Sequence, residues 1–450
     1  AGGNITLTAN GGISQVGSDS ANHLTMTAGG NISANASAGT VRIQNADLTA
    51  TSGNIDVYGN GSTGVELTSV TLCATAGNIS VFGQGKASSY DQRGAVSLAG
   101  SSTFSALNTG IHGVNTGAIT NFTLVGVYVG GTLDFLGGNA SILGESANGL
   151  GIHWRYAGST LLTNTLNIQT ASFTMEGRSE AQQESYYGSS GGIGFSNSYY
   201  PVHVIFNISG GADVRIIANA SLSSQPGFAL DTPTLMLMLN KYIFTGDGSV
   251  DIIGKSGGGA GVMLSGFDNS GLNGSMNITG ESVSGTGVNF DRNLGVNLVN
   301  ATVTGNSQSG TGIAMTANLG QATLTNVTLN GRTDSGNAAV SLTGSNVSIN
   351  GSVNGTVGQG AGSGVVLNGT SNFTVSGAAV SGAAVDGSGV VVNGAVNATD
   401  SAALNGTASG TGTGVALQNS LTSPDNNATV TGAAMNGAGV KLTGTTTGVN

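Results

Sequence analysis

The chain has 450 residues, a formal net charge of −10 and only 7% charged residues. With 79 glycines and so few charges, the composition argues against helical repeats, because glycine and β-branched residues are poor in helix interiors. The acidic balance disfavours nucleic acid as a partner, and no apolar run is long enough to predict a transmembrane segment.

The first predicted region, residues 1–104, carries a phrase built around Gly-Asn-Ile. Its asparagines, Asn4, Asn31, Asn54 and Asn78, lie 27, 23 and 24 residues apart in GGNITLTA, GGNISANA, SGNIDVYG and AGNISVFG. A fixed period of about 20–50 residues predicts a solenoid or a related repeat architecture. We therefore expect stacked coils from the start of the chain.

The second predicted region, residues 105–250, is irregular and rich in aromatic residues. The stretch 177–201 shows little strand alternation and predicts a long loop outside the coils. The aromatic residues either fill a wider core or form a protein-binding patch, for which tyrosine, tryptophan and arginine are typical. Adjacent tyrosines favour the patch, because neighbouring strand residues face opposite sides. The candidate receptor-binding residues are Trp154, Arg155, Tyr156, Arg178, Tyr186, Tyr187, Tyr199 and Tyr200.

The third predicted region, residues 251–450, is the most regular. A small residue followed by an aliphatic one recurs every 25–27 residues from Val288 to Val440, and a second glycine register from Gly305 to Gly432 has a similar mean period. Within residues 364–388, the segments GVVLNG, NFTVSG and AAVSGAAV predict three short strands. Three strands and three corners in about 25 residues predict one coil of an all-β parallel β-helix, or β-solenoid.

Patterns that would indicate catalysis or metal binding are weak. GSSGG at 188–192 matches a nucleophile motif but lacks the strand–elbow–helix context that the motif requires. The four histidines lack ligand spacing, and Asp247 and Asp251 are expected to flank a turn. We therefore predict no enzyme, no cofactor and no metal.

Cys73 is the one cysteine, which excludes an internal disulfide, and it is predicted to be a small buried residue.

The phrases GGNITLTANGG and AGNISVFG resemble the haemagglutinin repeats of filamentous-haemagglutinin-type exoproteins, which Gram-negative bacteria secrete by the two-partner pathway. The likeness covers roughly residues 1–100, and the SGTGV-type repeats of 285–450 are similar in style. The resemblance implies a right-handed β-helix that is exported unfolded through an outer-membrane secretion partner. The class includes adhesins and contact-dependent growth inhibition proteins, which recognise an outer-membrane protein on a neighbouring cell and carry a toxin downstream.

We therefore predict a receptor-binding or adhesive segment of a large secreted exoprotein at the bacterial cell surface, with 105–250 as the receptor-binding zone. The expected partner is an outer-membrane protein or glycan on a target cell. The alternatives are an autotransporter passenger, a stalk without a binding site of its own, and a β-helical polysaccharide-degrading enzyme. Neither end of the chain has a capping pattern, so we expect it to continue in a longer stack.

Overall fold

The structure is a computed structural model of the chain, and its described residues form two compact units. The first unit holds the described residues up to 230 together with 242–250 and 271–274, and the second holds 241, 251–270 and 275–448. The described residues are 2–16, 23–86, 94–117, 124–155, 162–180, 191–196, 202–220, 226–230, 241–290, 295–317, 321–369, 373–424 and 427–448.

The strands that lie mainly in the first unit include several long ones. They are β1 Ile5–Ala9, β2 Ile13–Val16, β3 Leu24–Ala28, β4 Ile32–Ala36, β5 Val41–Ala50, β6 Ile55–Gly61, β7 Val65–Gly85, β8 Gly94–Asn115, β9 Val125–Ser146, β10 Leu150–Arg155, β11 Leu162–Ser179, β12 Ile193–Ser196, β13 Val202–Ile208, β14 Asp213–Ala220, β15 Phe228–Leu230 and β16 Lys241–Gly246.

The strands that lie mainly in the second unit are shorter and more evenly spaced. They are β17 Ser249–Ser256, β18 Val262–Leu264, β19 Phe267–Leu272, β20 Met276–Ser282, β21 Val288–Phe290, β22 Val296–Val299, β23 Ala301–Ser307, β24 Ile313–Ala317, β25 Ala322–Thr333, β26 Ala338–Gly344, β27 Val347–Val357, β28 Ser363–Gly369, β29 Phe373–Ser376, β30 Ala379–Ala384, β31 Val390–Val392, β32 Val396–Thr399, β33 Ala403–Ala408, β34 Val415–Leu417, β35 Leu421–Ser423, β36 Thr429–Ala434, β37 Val440–Leu442 and β38 Thr446–Gly448.

The predicted all-β architecture is confirmed, and its strands pair in parallel in a β-helix-like arrangement. None of the described residues is helical. In the second unit, Val340 pairs with Val365, Val365 with Val390, and Val390 with Val415, each 25 residues further along. The strands predicted within 364–388 are present as β28, β29 and β30. Repeated positions of the sequence therefore form columns of neighbours in the structure.

Alternating side chains point into the core of each unit. Val365 and Val390 are fully buried in the second unit, where small aliphatic residues dominate the interior. The first unit also buries larger rings: Phe104, Phe135 and Phe173 are fully buried, with successive ring centroids 5.2 Å apart. Burying a valine or phenylalanine side chain contributes about 1.5–3 kcal/mol, so these columns are the main stabilising element. For Phe135 and Phe173, which lie in the second predicted region, the core-filling alternative is correct.

The loop predicted over 177–201 is wrong at residues 177–179 and 193–196. Residues 177–179 complete β11 in register with 144–146 of β9, and residues 193–196 form β12. The sequence there looks like a loop because Gly177 lies at a tightly packed corner and Arg178 faces outward. Residues 180, 191 and 192 lie outside the strands, and 181–190 and 197–201 lie outside the described residues.

Facing glycines make a backbone contact at one corner of successive rows. A Cβ placed on Gly305 would collide with the carbonyl oxygen of Gly312, and one on Gly144 would collide with that of Gly151. Gly305 and Gly312 belong to the two glycine registers of the sequence, so both registers reflect one contact between bare backbones. We call the first member of each such contact a paired glycine. The paired glycines with this type of contact are Gly59, Gly83, Gly113, Gly144, Gly177, Gly254, Gly280, Gly305, Gly331, Gly355, Gly382, Gly406 and Gly432. The facing residue is a glycine except at Gly83 and Gly331, which meet the carbonyl oxygens of Ala95 and Ala339.

Replacing a paired glycine should destabilise the fold through this corner. We expect Gly305→Val to lower the free energy of unfolding by about 1–3 kcal/mol or more, because the backbone must shift to admit the side chain. Gly3→Ala is the control, since a Cβ at Gly3 meets nothing within 4 Å. Urea unfolding followed by circular dichroism measures both; equal midpoints for the two variants would contradict the corner contact.

The asparagines of the Gly-Asn-Ile phrase form a hydrogen-bond ladder. The Oδ1 atom of Asn31 accepts the backbone N–H of Asn54 at 2.8 Å, and Oδ1 of Asn54 accepts that of Asn78 at 2.9 Å. Further along, Nδ2 of Asn108 donates to Oδ1 of Asn78 at 2.8 Å, and Nδ2 of Asn139 donates to Oδ1 of Asn108 at 3.1 Å. The phrase recurs because each asparagine satisfies a polar group of the next row.

Removal of one ladder amide should have a modest cost. We expect Asn54→Ala to lower the free energy of unfolding by about 1 kcal/mol, because the N–H of Asn78 loses its acceptor. Asn54→Asp keeps an acceptor oxygen and should retain more of the wild-type stability. Thermal unfolding compares the three proteins, and the idea fails if the alanine and aspartate variants melt at the same temperature.

Candidate binding surface

Trp154 is a core residue, so its prediction as a receptor contact is wrong. Its side chain is 2% exposed, and its ring centroid lies 5.6 Å from that of Phe195 and 6.0 Å from that of Phe206. The physical reason is strand alternation: Ile152 and Trp154 share one side of β10, and both are buried. Tryptophan in this row packs among the other buried rings of the first unit.

Most of the other predicted contact residues are not described. The side chain of Arg155 and residues Tyr156, Tyr186, Tyr187, Tyr199 and Tyr200 lie outside the described part of the chain. Their assignment to a receptor-binding patch stays a prediction. Arg178 is described, and it lies on the outward side of β11 with about half of its side chain exposed.

Arg178 joins two carboxylates across neighbouring rows. Its Nε lies 2.7 Å from Oε1 of Glu176, and one terminal nitrogen lies 2.9 Å from Oε1 of Glu145. Parallel register sets this geometry, because Arg178 pairs directly with Glu145 of β9. The hydrogen bond to Glu176 raises the pKa of Arg178 above its usual value, so the guanidinium remains charged.

His112 connects the charged cluster to a row of aromatic rings. The Nε2 atom of His112 lies 3.2 Å from Oε2 of Glu145, and its ring meets the ring of Phe82 edge-on at 5.1 Å. Phe82 in turn stacks on Tyr58, with centroids 5.6 Å apart and planes within 7°. All of these side chains are partly or largely solvent-accessible. We call this continuous surface the aromatic–ionic stripe; it consists of Tyr58, Phe82, His112, Glu145, Glu176 and Arg178.

The repeat places these residues on one face. Tyr58 pairs with Phe82 and Phe82 with His112, so the three form one column across β6, β7 and β8. Tyr58 stands four residues after Asn54 of the ladder, and Phe82 four after Asn78. This constant spacing of four residues identifies the column in the sequence, whereas the density of aromatic residues does not. Asp56 shares the outward face of β6, and partial burial raises the pKa of its carboxyl group.

The corresponding column of the second unit shows that the fold does not require aromatic residues here. Tyr58, Phe82 and His112 each directly precede a paired glycine. Apart from Ile253, the residues that precede paired glycines in the second unit are short and polar. They are Thr279, Thr304, Asn330, Asn354, Ser381, Asn405 and Thr431. The rings of the stripe therefore differ from the short polar side chains that most rows of the second unit have at this position. The stability of the repeat does not explain this difference.

This comparison predicts that the stripe can be converted to the second unit's pattern without loss of the fold. We expect Phe82→Thr to change the free energy of unfolding by less than about 1 kcal/mol, because threonine is a good strand residue and the site is outward-facing. Phe104→Thr, at a fully buried ring, is the comparison and should cost several kcal/mol, about 3 or more. Urea unfolding distinguishes them; similar large losses in both would make Phe82 a structural residue.

Other chemical groups of the described residues are dispersed. No set of three or more histidine, cysteine, aspartate or glutamate side chains among them is placed to hold a metal ion. Asp247 lies in the bend at 247–248, where its Oδ1 accepts a hydrogen bond from the backbone of Gly211, whereas Asp251 lies within β17, so only the first of the two flanks a turn as expected. Cys73 is half-buried rather than buried, because it falls on the outward side of β7, where its Sγ lies 3.8 Å from Oγ1 of Thr75.

Comparison with known proteins adds no family name. No protein-family model matches the chain, and no curated protein matches it. A search of the described residues for a helix long and apolar enough to cross a membrane finds none.

Proposed function

We propose that the chain is a binding segment of a large secreted bacterial exoprotein, built from right-handed coils of about 25 residues with three short strands each. The pairing of Val365 with Val390 and of Val390 with Val415 supports the coil length. The handedness is supported by the general rule that connections between parallel strands of one sheet are right-handed. The repeat phrases of residues 1–100 support the assignment to the filamentous-haemagglutinin type.

The aromatic–ionic stripe is the proposed contact surface. The observation that carries this proposal is the presence of partly exposed rings where the second unit has short polar side chains. Tyrosine, phenylalanine and arginine are enriched at protein interfaces, where a few such residues supply most of the binding energy. Exposed ion pairs contribute only about 0.2–1 kcal/mol to stability, so the Glu145–Arg178–Glu176 cluster is better accounted for by recognition.

The arrangement of the rings favours a protein partner. Tyr58 and Phe82 stack on one another, so their faces are partly covered and they present mainly their edges outward. Ring edges next to fixed charges suit an apolar side chain flanked by polar ones, as on a protein surface. A sugar ring that stacks on aromatic faces has less to contact here. The expected partner is therefore an outer-membrane protein of a neighbouring cell.

Cell binding tests the stripe directly. We expect the triple variant Tyr58→Thr, Phe82→Thr, Arg178→Ala to bind Gram-negative target cells at least about 30-fold more weakly, since loss of hot-spot residues costs about 2 kcal/mol or more. The measurement is titration of fluorescently labelled protein onto cells by flow cytometry. The matched control is Thr279→Ala, Thr304→Ala, Arg332→Ala, because Arg332 follows a paired glycine as Arg178 does.

Two outcomes would contradict the assignment. If the triple variant binds like the wild type while deletion of 181–190 abolishes binding, the contact lies in the predicted tyrosine-rich segment. If neither change alters binding, or if the chain binds no cells, the stalk alternative gains support. Circular dichroism of each variant separates loss of binding from loss of fold.

A further inference from the structure

Gly110 lies beside the aromatic–ionic stripe and has no packing role of the kind that the paired glycines have. It lies inside β8, five residues before the strand ends, two residues before His112 and on the same outward side. A Cβ placed on Gly110 would meet, among the described residues, only Oγ of Ser141, at 3.9 Å. Its φ angle is outside the left-handed region, so other residues could adopt this backbone.

Glycine at such a position carries a cost. A glycine inside a strand loses more conformational entropy on folding than other residues and offers no side chain to pack against its neighbours. Nothing in the described surroundings compensates for that cost. Strand glycines of this kind commonly mark a place where a ligand or another backbone approaches closely.

The neighbours of Gly110 make the position a notch. Ser80 pairs with Gly110 on one side and Ser141 on the other, so three small residues follow one another across β7, β8 and β9. The adjacent column holds Phe82 and His112, whose rings form one wall. At Gly110 the notch exposes backbone, with a serine on each side in the same column, and its wall is aromatic.

We propose that Gly110 is a specificity-determining residue of the stripe and that the notch receives an apolar side chain of a protein partner. This inference rests on the proposed function and names the point of closest approach. The stripe carries two carboxylates, Glu145 and Glu176, against one guanidinium, so it has an excess of negative charge. Charge complementarity therefore requires a basic residue next to the apolar one in the partner segment.

The test is a substitution that fills the notch. We expect Gly110→Thr to leave the melting temperature unchanged or to raise it by about 1 °C, because threonine is a better strand residue. The same variant should bind outer-membrane vesicles shed by Gram-negative cells at least about tenfold more weakly, since the partner can no longer approach. Ala403→Thr is the control, because Ala403 also lies three residues before a paired glycine, in the second unit.

The experiment has three arms: intact vesicles, vesicles shaved with protease, and protein-free liposomes of the same lipids. Binding to intact vesicles alone, weakened by Gly110→Thr and by added salt, supports the proposal. Binding that survives shaving or occurs on liposomes indicates a glycan or lipid and overturns the protein occupant.

Two further results separate this inference from the function on which it rests. If Gly110→Thr binds like the wild type, or if it lowers the melting temperature by several degrees, about 5 °C or more, Gly110 is not the contact point or is a structural residue. In that case the stripe variants still report on the proposed function. If the wild-type chain binds none of the vesicles, the proposed function has failed, and the inference fails with it.

Discussion

Close approach of bare backbones at the paired glycines is the constraint on which the rest of the structure depends. At Gly305 and Gly312, for example, no side chain fits between the two segments. Because this contact recurs from row to row, each time two residues before a strand ends, it fixes which residues of the strand face inward. A shift of one residue would reverse every side chain of the row, so the glycine contact determines the register of both core and surface.

The column geometry turns residues that are distant in sequence into neighbours on the surface. Phe82 and His112 are far apart in the sequence, and they are adjacent in space because β7 and β8 pair in register there. One fold position thus serves two purposes: short polar side chains form regular rows in the second unit, and rings with ion pairs form the stripe in the first. The scaffold tolerates both kinds of side chain because the position faces outward, where packing places few limits on side-chain size.

Periodicity in the sequence predicted the strands of 364–388 well, because the side chains there are small apart from a few such as Phe373, and each row resembles the next. Density of aromatic residues was a weaker guide. Trp154 and Tyr58 belong to residue types that suit both cores and interfaces, and strand phase decides between them. The side of the strand that Tyr58 and Phe82 face could have been deduced from the ladder asparagines, which stand four residues before them. Ion pairs such as Arg178–Glu145 join separate rows and require the register, which spacing alone does not give.

The parallel pairing of each row with the next has a consequence for how the molecule assembles. In the second unit, β28 pairs with β26 before it and with β31 after it, so its partners lie within one repeat in each direction. Rows can therefore form in order along the chain, without waiting for a distant segment to arrive. Each completed row exposes a strand edge on which the neighbouring row can pair, so folding that begins in one row can propagate to the next.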